Sequence, residues 1–340
     1  MKKSSSTKTV SSFYLSLCPD KNTFIKKALS HHTTHIYTTN LTEKNLHADT
    51  EVLGVFVDSK LSAQVLDRMP NLKLIVTLSV GFDHIDLEHA KKRGIAVCNI
   101  PNYGENTVAE HALSLLLAFS RRLFDSVHRV QKGRYDSDGL RGIDIQGKTI
   151  GVLGTGRIGL HFIKLLQGFG ATVIAYDAFP RKEMQKEFHF KYVSLEKVLK
   201  ESDIISIHVP LLPSTKHLIN KKTLSLMKKG IIIINTARGG IVESSALLAA
   251  IEKGKVRGAG LDVFDGEDYL KHPVLIEDKK QKEKVETLTK INRKLIEHPH
   301  VLVTPHNAFN SEESIERMFT MGVETIEKFF AKKKLTNRLV

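Results

Sequence analysis

Hydrophobic and polar positions alternate along this chain in two ways. Short apolar runs read as strands, and the segments between them carry apolar residues at helical spacing. Phe13–Leu17, Val52–Val57, Leu74–Leu78 and Ile95–Cys98 predict strands, with a helix over Ser62–Met69. A second series predicts strands at Thr149–Leu153, Thr172–Tyr176, Ile204–Val209, Ile231–Asn235, Gly258–Val263 and Val301–Thr304. Apolar strands alternating with helices predict parallel sheets covered by helices. The unbroken isoleucines Ile231–Ile234 suit a central strand buried on both faces. Between the two series, Thr107–Lys132 predicts one long helix that connects two domains. Thr107 stands as its N-cap, with Glu110 three residues on in the capping-box pattern.

Composition narrows the class. A chain of 340 residues is too long for one ordinary core and predicts two domains. Its hydrophobic content of 41% and charged content of 26% are those of a globular protein. Only Cys18 and Cys98 are present, which excludes a disulfide framework and fits a reducing cytoplasm. Val108–Phe119 is interrupted by Glu110, His111 and Ser114 and is too short to cross a bilayer. The polar Met1–Ser6 stretch lacks the apolar core of a signal peptide. The formal net charge is +14. Much of the excess lies in Lys279–Lys294, interleaved with Glu283 and Glu286 at helical spacing, the pattern of a solvated face. With no aromatic–basic interleaving and no zinc-finger spacing, nucleic-acid binding is not expected. A positive field does suit a small anionic substrate.

Candidate chemistry begins at Gly154-Thr155-Gly156-Arg157-Ile158-Gly159. Such a pattern is weak alone, but here a strand precedes it and an amphipathic helix follows. The second strand ends in Asp177, 21 residues after Gly156. Glycines permit the tight turn, the approach of a pyrophosphate and helix-on-strand packing. The pyrophosphate then meets the N–H groups at the helix start. Asp177 stands where a carboxylate accepts the ribose hydroxyls and repels a 2′-phosphate, which favours NAD over NADP. Six strands with intervening helices match a doubly wound nucleotide-binding sheet.

Three later strand ends carry polar residues: Asn235-Thr236-Ala237-Arg238-Gly239-Gly240, Asp262-Val263-Phe264-Asp265-Gly266-Glu267 and Thr304-Pro305-His306-Asn307-Ala308-Phe309. Ligands of a doubly wound sheet bind at the carboxyl ends of its strands. The planar fork of Arg238 suits a carboxylate or a 2-keto acid. Reducing a ketone needs a proton donor, and histidine is suited to that task near neutrality. A carboxylate beside a histidine favours its protonated form and orients the ring; Glu267 and His306 can fill these roles. Taken singly, Arg238 also suits a helix cap, Glu267 a surface acid and His306 a core histidine. The clustered His31, His32 and His35 lack a second ligand set, so no metal site is expected.

The chain resembles the D-isomer-specific 2-hydroxyacid dehydrogenase family, and within it the D-lactate dehydrogenase-like members. The matching stretches run from Val52 to the C-terminus: Ser79–Asp86, Pro101-Asn102-Tyr103, Thr107–Ala112, the glycine loop, His208-Val209-Pro210, Asn235–Gly239 and Thr304-Pro305-His306. The resemblance implies an α/β fold, with a Rossmann doubly wound parallel sheet domain and a smaller flavodoxin-like α/β domain. It implies a discontinuous substrate domain, residues 1–106 and 308–340, around an NAD-binding domain, residues 107–307, with the active site in the cleft. It implies that Arg238 binds the substrate carboxylate and carbonyl, that Glu267 pairs with His306, and that His306 gives the proton. N–H groups of Val80 and Gly81 would hold the carboxylate, and Tyr103 and Phe309 would face the substrate. Gly154, Gly156, Arg157, Ile158, Gly159, Asp177, Val209, Pro210, Thr215, Thr236, Ala237 and Asp262 match NAD-contact positions. A cytoplasmic homodimer, joined through the nucleotide domain, is implied as well.

The resemblance favours reduction of a small 2-keto acid by NADH, pyruvate to D-lactate first. The long Tyr269–Pro299 segment is shared with D-lactate dehydrogenases and is shorter in the glycerate and glyoxylate-reductase branches. Phe309 stands where many members have a small residue. Hydroxypyruvate, glyoxylate, 3-phosphoglycerate and phosphite remain alternative substrates. A phosphoglycerate enzyme often adds a C-terminal regulatory domain, for which Val340 leaves no room. A non-catalytic NADH-sensing protein, like the corepressors of this fold, is the reading from another class.

Overall fold

A computed structural model describes residues 9–16, 18–267 and 279–340, apart from the side chains of Lys279 and Gln281. Met1–Ser6, the Leu17 end of the first expected strand and the Tyr269–Asp278 part of the long segment lie outside the described residues. The chain divides into two compact units, Met1–Gly104 with Ser311–Val340, and Glu105–Asn310.

The smaller unit is built on β1 (Val10–Tyr14), β2 (Thr33–Tyr37), β3 (Val52–Val55), β4 (Leu74–Thr77) and β5 (Ala96–Cys98). The five strands pair with one another in parallel in the order β2-β1-β3-β4-β5, the flavodoxin-like order, and Cys98 of β5 also bridges Arg338 in antiparallel. β1 starts three residues before its apolar run because Ser11 and Ser12 are themselves buried; Ser12 Oγ meets Thr50 Oγ1 at 2.7 Å. β2 was not expected at all. It is an edge strand with no fully buried residue, so its apolar signal is weak. The helix Glu312–Phe330 returns the chain to this unit, burying Ile315, Met318, Phe319 and Ile326. Its N-cap is Ser311, whose hydroxyl accepts from Ser314 N–H at 3.2 Å.

The larger unit holds β6 (Thr149–Leu153), β7 (Thr172–Tyr176), β8 (Lys191–Tyr192), β9 (Ile204–Ile207), β10 (Ile231–Asn235), β11 (Val256–Leu261) and β12 (Val301–Val303). The order β12-β11-β10-β9-β6-β7-β8, parallel throughout, is a doubly wound Rossmann sheet extended by one strand. Ile231–Ile234 occupy β10, an interior strand between β11 and β9, and are essentially inaccessible. β8, the two-residue edge, was the strand not expected here. β9, β11 and β12 stop short of their expected ends. His208, Asp262, Val263 and Thr304 therefore stand in the loops at the carboxyl edge.

The expected helix over Thr107–Lys132 is two helices, Glu105–Ser120 and Leu123–Gln131. Thr107 is the third residue of the first helix and not its N-cap. The break lies at Arg122, whose φ is +49°. Its cause lies outside the helix. Ile143 N–H takes the carbonyl of Ser120 at 2.8 Å. Gly142 comes so close that a Cβ there would lie 2.2 Å from the same oxygen. A continuous helix would need that carbonyl for its next turn. The second helix leaves Leu123, Phe124, Val127 and Val130 exposed.

Cys18 and Cys98 are buried, and burial pushes both thiols up to about 11. A thiol reagent at about pH 8 should leave both unmodified in the native protein and titrate both after unfolding.

Candidate active site

The glycine loop is built by close approaches. Gly154, at φ +93°, lies so near the loop after β9 that a Cβ would fall 2.8 Å from the His208 backbone. A Cβ at Gly159 would fall 2.0 Å from the carbonyl oxygen of Gly154. Gly156 differs: nothing lies within 4 Å of its Cβ position, and it caps the helix Arg157–Leu166 without a side chain. This leaves an open cradle against the first N–H groups of a helix, the arrangement that takes a phosphate.

Asp177 follows β7 and accepts Thr155 N–H at 2.6 Å, Thr155 Oγ1 at 3.0 Å and Phe179 N–H at 2.8 Å. The carboxylate is thereby fixed against the glycine loop. Arg181 donates through Nη2 to Thr155 O at 2.7 Å, so this cation serves the loop. Tyr192 OH meets Thr155 Oγ1 at 2.7 Å. Thr155 and Tyr192 were not singled out in the sequence, where neither carries a motif signal. Arg157 pairs with Glu105 at 3.2 Å, and Ile158 packs against the helix-side core. After β9, Thr215 Oγ1 donates to Pro210 O at 2.6 Å and accepts Leu212 N–H at 2.8 Å, which folds the Val209–Thr215 loop. His208 is adjacent, with Nε2 at 2.8 Å from Ser206 Oγ, and burial pushes its pKa down to about 3.

The loop after β10 is tied by Asn235, whose side chain accepts Ala237 N–H and donates to Arg238 O, both at 3.0 Å. Arg238 is half-buried and donates through Nη1 to Ala237 O at 2.8 Å. A Cβ on Gly239 would lie 1.7 Å from Phe264 O, so only glycine lets this loop lie against the next. Thr236 is buried, and its Oγ1 has no hydrogen-bond partner among the described residues.

Asp262 is 1% exposed and accepts Thr304 Oγ1–H at 2.5 Å, Asn307 N–H at 3.0 Å and Ala308 N–H at 3.0 Å. Its own carbonyl accepts His306 N–H at 2.9 Å. Thr304 spends its one proton on Asp262, so His111 Nε2, 3.0 Å from Thr304 Oγ1, is the donor there. His306 is held at φ +55°, a left-handed conformation uncommon outside glycine. Glu267 closes its own turn by accepting Phe264 N–H on Oε2 at 3.1 Å, and its Oε1 lies 2.5 Å from His306 Nδ1. An ionised carboxylate only accepts, so Nδ1 carries the proton and Nε2 is the ring nitrogen left for proton exchange.

Arg238, Glu267, His306 and Asp262 thus meet through loops of one sheet edge. Val80, Gly81 and Tyr103 belong to the smaller unit. There Val80 O accepts Asn99 Nδ2–H at 2.8 Å and Gly81 O accepts Ser79 Oγ–H at 2.6 Å, so both carbonyls of the turn are engaged. Val80 is exposed, while Tyr103 is 7% exposed and its carbonyl accepts from Arg317 Nε at 2.8 Å. Phe309 is half-buried at the end of the larger unit. The open Gly156, the fixed Asp177 and the unpartnered Thr236 hydroxyl fit a dinucleotide along this edge.

A family model described as D-isomer specific 2-hydroxyacid dehydrogenase, NAD binding domain, matches residues 113–308. A solved structure of D-lactate dehydrogenase from Aquifex aeolicus, complexed with NAD and lactic acid, aligns with TM-score 0.83 and 38% identity, covering 95% of this chain and 96% of that one. The chain is 37% identical over 282 residues to hydroxypyruvate reductase of Thermotoga maritima, spanning 83% of this chain and 84% of that protein. It is 34% identical over 334 residues to 2-hydroxyacid dehydrogenase A of Aspergillus oryzae, spanning 94% and 92%.

His208 generates a pH prediction. Its folded pKa lies below the 6.5 of the unfolded chain, so the unfolded chain protonates first on acidification. Its contribution to stability is present above about pH 6.5 and is lost as pH falls toward about 3. Urea midpoints measured across this range should fall with pH, and His208→Gln should flatten the slope.

Proposed function

The chain belongs to the D-isomer specific 2-hydroxyacid dehydrogenase family, whose NAD-dependent members are oxidoreductases, and from that premise we propose that it reduces a small 2-keto acid to the D-2-hydroxy acid. The observation that carries this reading is the 2.5 Å contact between Glu267 Oε1 and His306 Nδ1, beside the Arg238 loop. When bound, NADH supplies the hydride for C2 of the keto acid. The guanidinium of Arg238 holds the substrate carboxylate and polarises its carbonyl. His306 delivers the proton from Nε2 to the carbonyl oxygen, and Glu267 keeps the ring in that tautomer and stabilises the imidazolium. N–H groups of Val80 and Gly81, whose carbonyls are already engaged, take the substrate carboxylate. Tyr103 and Phe309 are taken as further substrate contacts.

In the cofactor site, the N–H groups from Gly156 to Ile158 take the pyrophosphate, with Gly154 and Gly159 shaping the loop and Arg157 as its counter-charge. Asp177 takes the ribose hydroxyls and, as an anion, disfavours a 2′-phosphate. Val209, Pro210 and Thr215 line the loop beyond β9. Thr236, Ala237 and Asp262 serve the nicotinamide end.

Pyruvate stands first among substrates. This is supported by the likeness, over nearly the whole chain, to the Aquifex aeolicus D-lactate dehydrogenase. Hydroxypyruvate is the second reading, supported by the Thermotoga maritima relative. A homodimer is supported by the helix Leu123–Gln131, whose Leu123, Phe124, Val127 and Val130 are exposed at helical spacing. A cytoplasmic location accords with two free cysteines and an NADH-linked reaction.

NADH oxidation with pyruvate, hydroxypyruvate, glyoxylate and bulkier 2-keto acids should show the highest kcat/KM for pyruvate. Tight NADH binding without turnover of any of them would contradict the enzyme reading. His306→Ala should lower kcat by roughly 10²–10⁴-fold while leaving NADH affinity nearly unchanged.

A further inference from the structure

β8 contributes only Lys191 and Tyr192 to the sheet, yet Tyr192 is held from several sides. It lies beside Ala175 of β7, two residues before Asp177. Its N–H donates to Gln185 Oε1 at 2.8 Å, and Val193 N–H continues the pairing to Ala175 O at 2.9 Å. The buried Phe190 ring packs edge-on against the Tyr192 ring at 4.9 Å. The phenol is thereby placed, and its hydroxyl makes two hydrogen bonds whose direction follows from the carboxylate. An ionised Asp177 only accepts, so Thr155 Oγ1 spends its one proton on Asp177 Oδ2. Tyr192 OH is then the donor to Thr155 Oγ1, and its own oxygen accepts Arg181 N–H at 3.2 Å.

We propose that Tyr192 is a positioning residue for cofactor choice, which holds the Asp177 carboxylate in the orientation that accepts a ribose hydroxyl and rejects a 2′-phosphate. This rests on the reading of Asp177 as the ribose acceptor. One hydroxyl braces both oxygens of that carboxylate. Oδ2 is reached through Thr155, which is 2% exposed. Oδ1 is reached through the segment after β7, where Phe179 N–H donates to it at 2.8 Å and Tyr192 accepts the N–H of Arg181 two residues on. Arg181 Nη2 closes the ring onto Thr155 O at 2.7 Å. A carboxylate offers roughly four acceptor positions. Among the described residues Thr155 N–H and Thr155 Oγ1–H engage Oδ2 and Phe179 N–H engages Oδ1, so the open position lies on Oδ1. A ribose hydroxyl meets an acceptor already oriented, and a 2′-phosphate meets a negative charge that cannot swing away without breaking these bonds.

The test is a calorimetric titration of the whole protein with NADH and with NADPH, which needs no turnover. The wild-type protein should bind NADH more tightly than NADPH, and Asp177→Ala should shrink that preference. Tyr192→Phe should weaken NADH about 5-fold, the scale of one lost hydrogen bond, and leave NADPH unchanged or tighter. Thr155→Val, which removes the middle of the relay, should do the same, while Thr155→Ser, which keeps the hydroxyl, should retain the wild-type ratio. In the Asp177→Ala background, Tyr192→Phe should no longer alter the ratio. A purely structural defect would weaken both cofactors alike in either background. Equal weakening of NADH and NADPH in Tyr192→Phe, or the same shift in ratio with Asp177 absent, overturns the proposal. If Tyr192→Phe does not fold, Thr155→Val decides by the same criteria. An unchanged ratio in Asp177→Ala overturns the ribose reading and this proposal with it. A changed ratio there, with an unchanged one in Tyr192→Phe, overturns this proposal alone.

Discussion

The site depends on one buried carboxylate. Asp262 is all but sealed from water, and burying a charge there is costly unless its lone pairs are used. They are used by Thr304, Asn307 and Ala308, the residues on either side of His306. The backbone of Asp262 takes the His306 N–H in addition. One residue thus bends the chain after β12 into the left-handed turn that presents the imidazole. That clamp, with the turn's own His306 N–H to Thr304 O bond at 3.0 Å, holds a histidine at positive φ.

The sheet explains why the clamp and the Glu267–His306 pair coincide. β10, β11 and β12 are parallel neighbours, so their three carboxyl-end loops emerge side by side. Asp262 N–H extends the pairing by one bond to Asn235 O at 2.9 Å, which fixes the second loop to the first. Gly239 removes the side chain that would hold the Arg238 loop away from Phe264. Glu267 then reaches His306 from a turn it closes with its own second oxygen. Preorganisation of this kind lets a proton donor act without first being assembled.

Much of the fold was legible because parallel strands buried on both faces leave continuous apolar runs, as at Ile231–Ile234. What escaped were edges and breaks. β2 and β8 bury too little to leave a pattern, and the start of β1 is hidden behind buried serines. The helix break at Arg122 is imposed by Ile143 and Gly142, which local periodicity does not record. In the site, the glycine loop, Asp177, Arg238, Glu267 and His306 were readable from residue type and from position after a strand. Their contacts were not. Asp262 holds partners 42 to 46 residues away, separations that leave no local mark.

The central claim is that this edge transfers hydride to C2 of a 2-keto acid and yields the D-product. Single turnovers with NADH deuterated at C4 of the dihydronicotinamide, each prochiral label in turn, test it directly, using the 2-keto acid reduced fastest. One label should appear at C2 of the D-2-hydroxy acid, and the other should stay on the cofactor. Unlabelled product from both labels, or the L-enantiomer, would contradict the account.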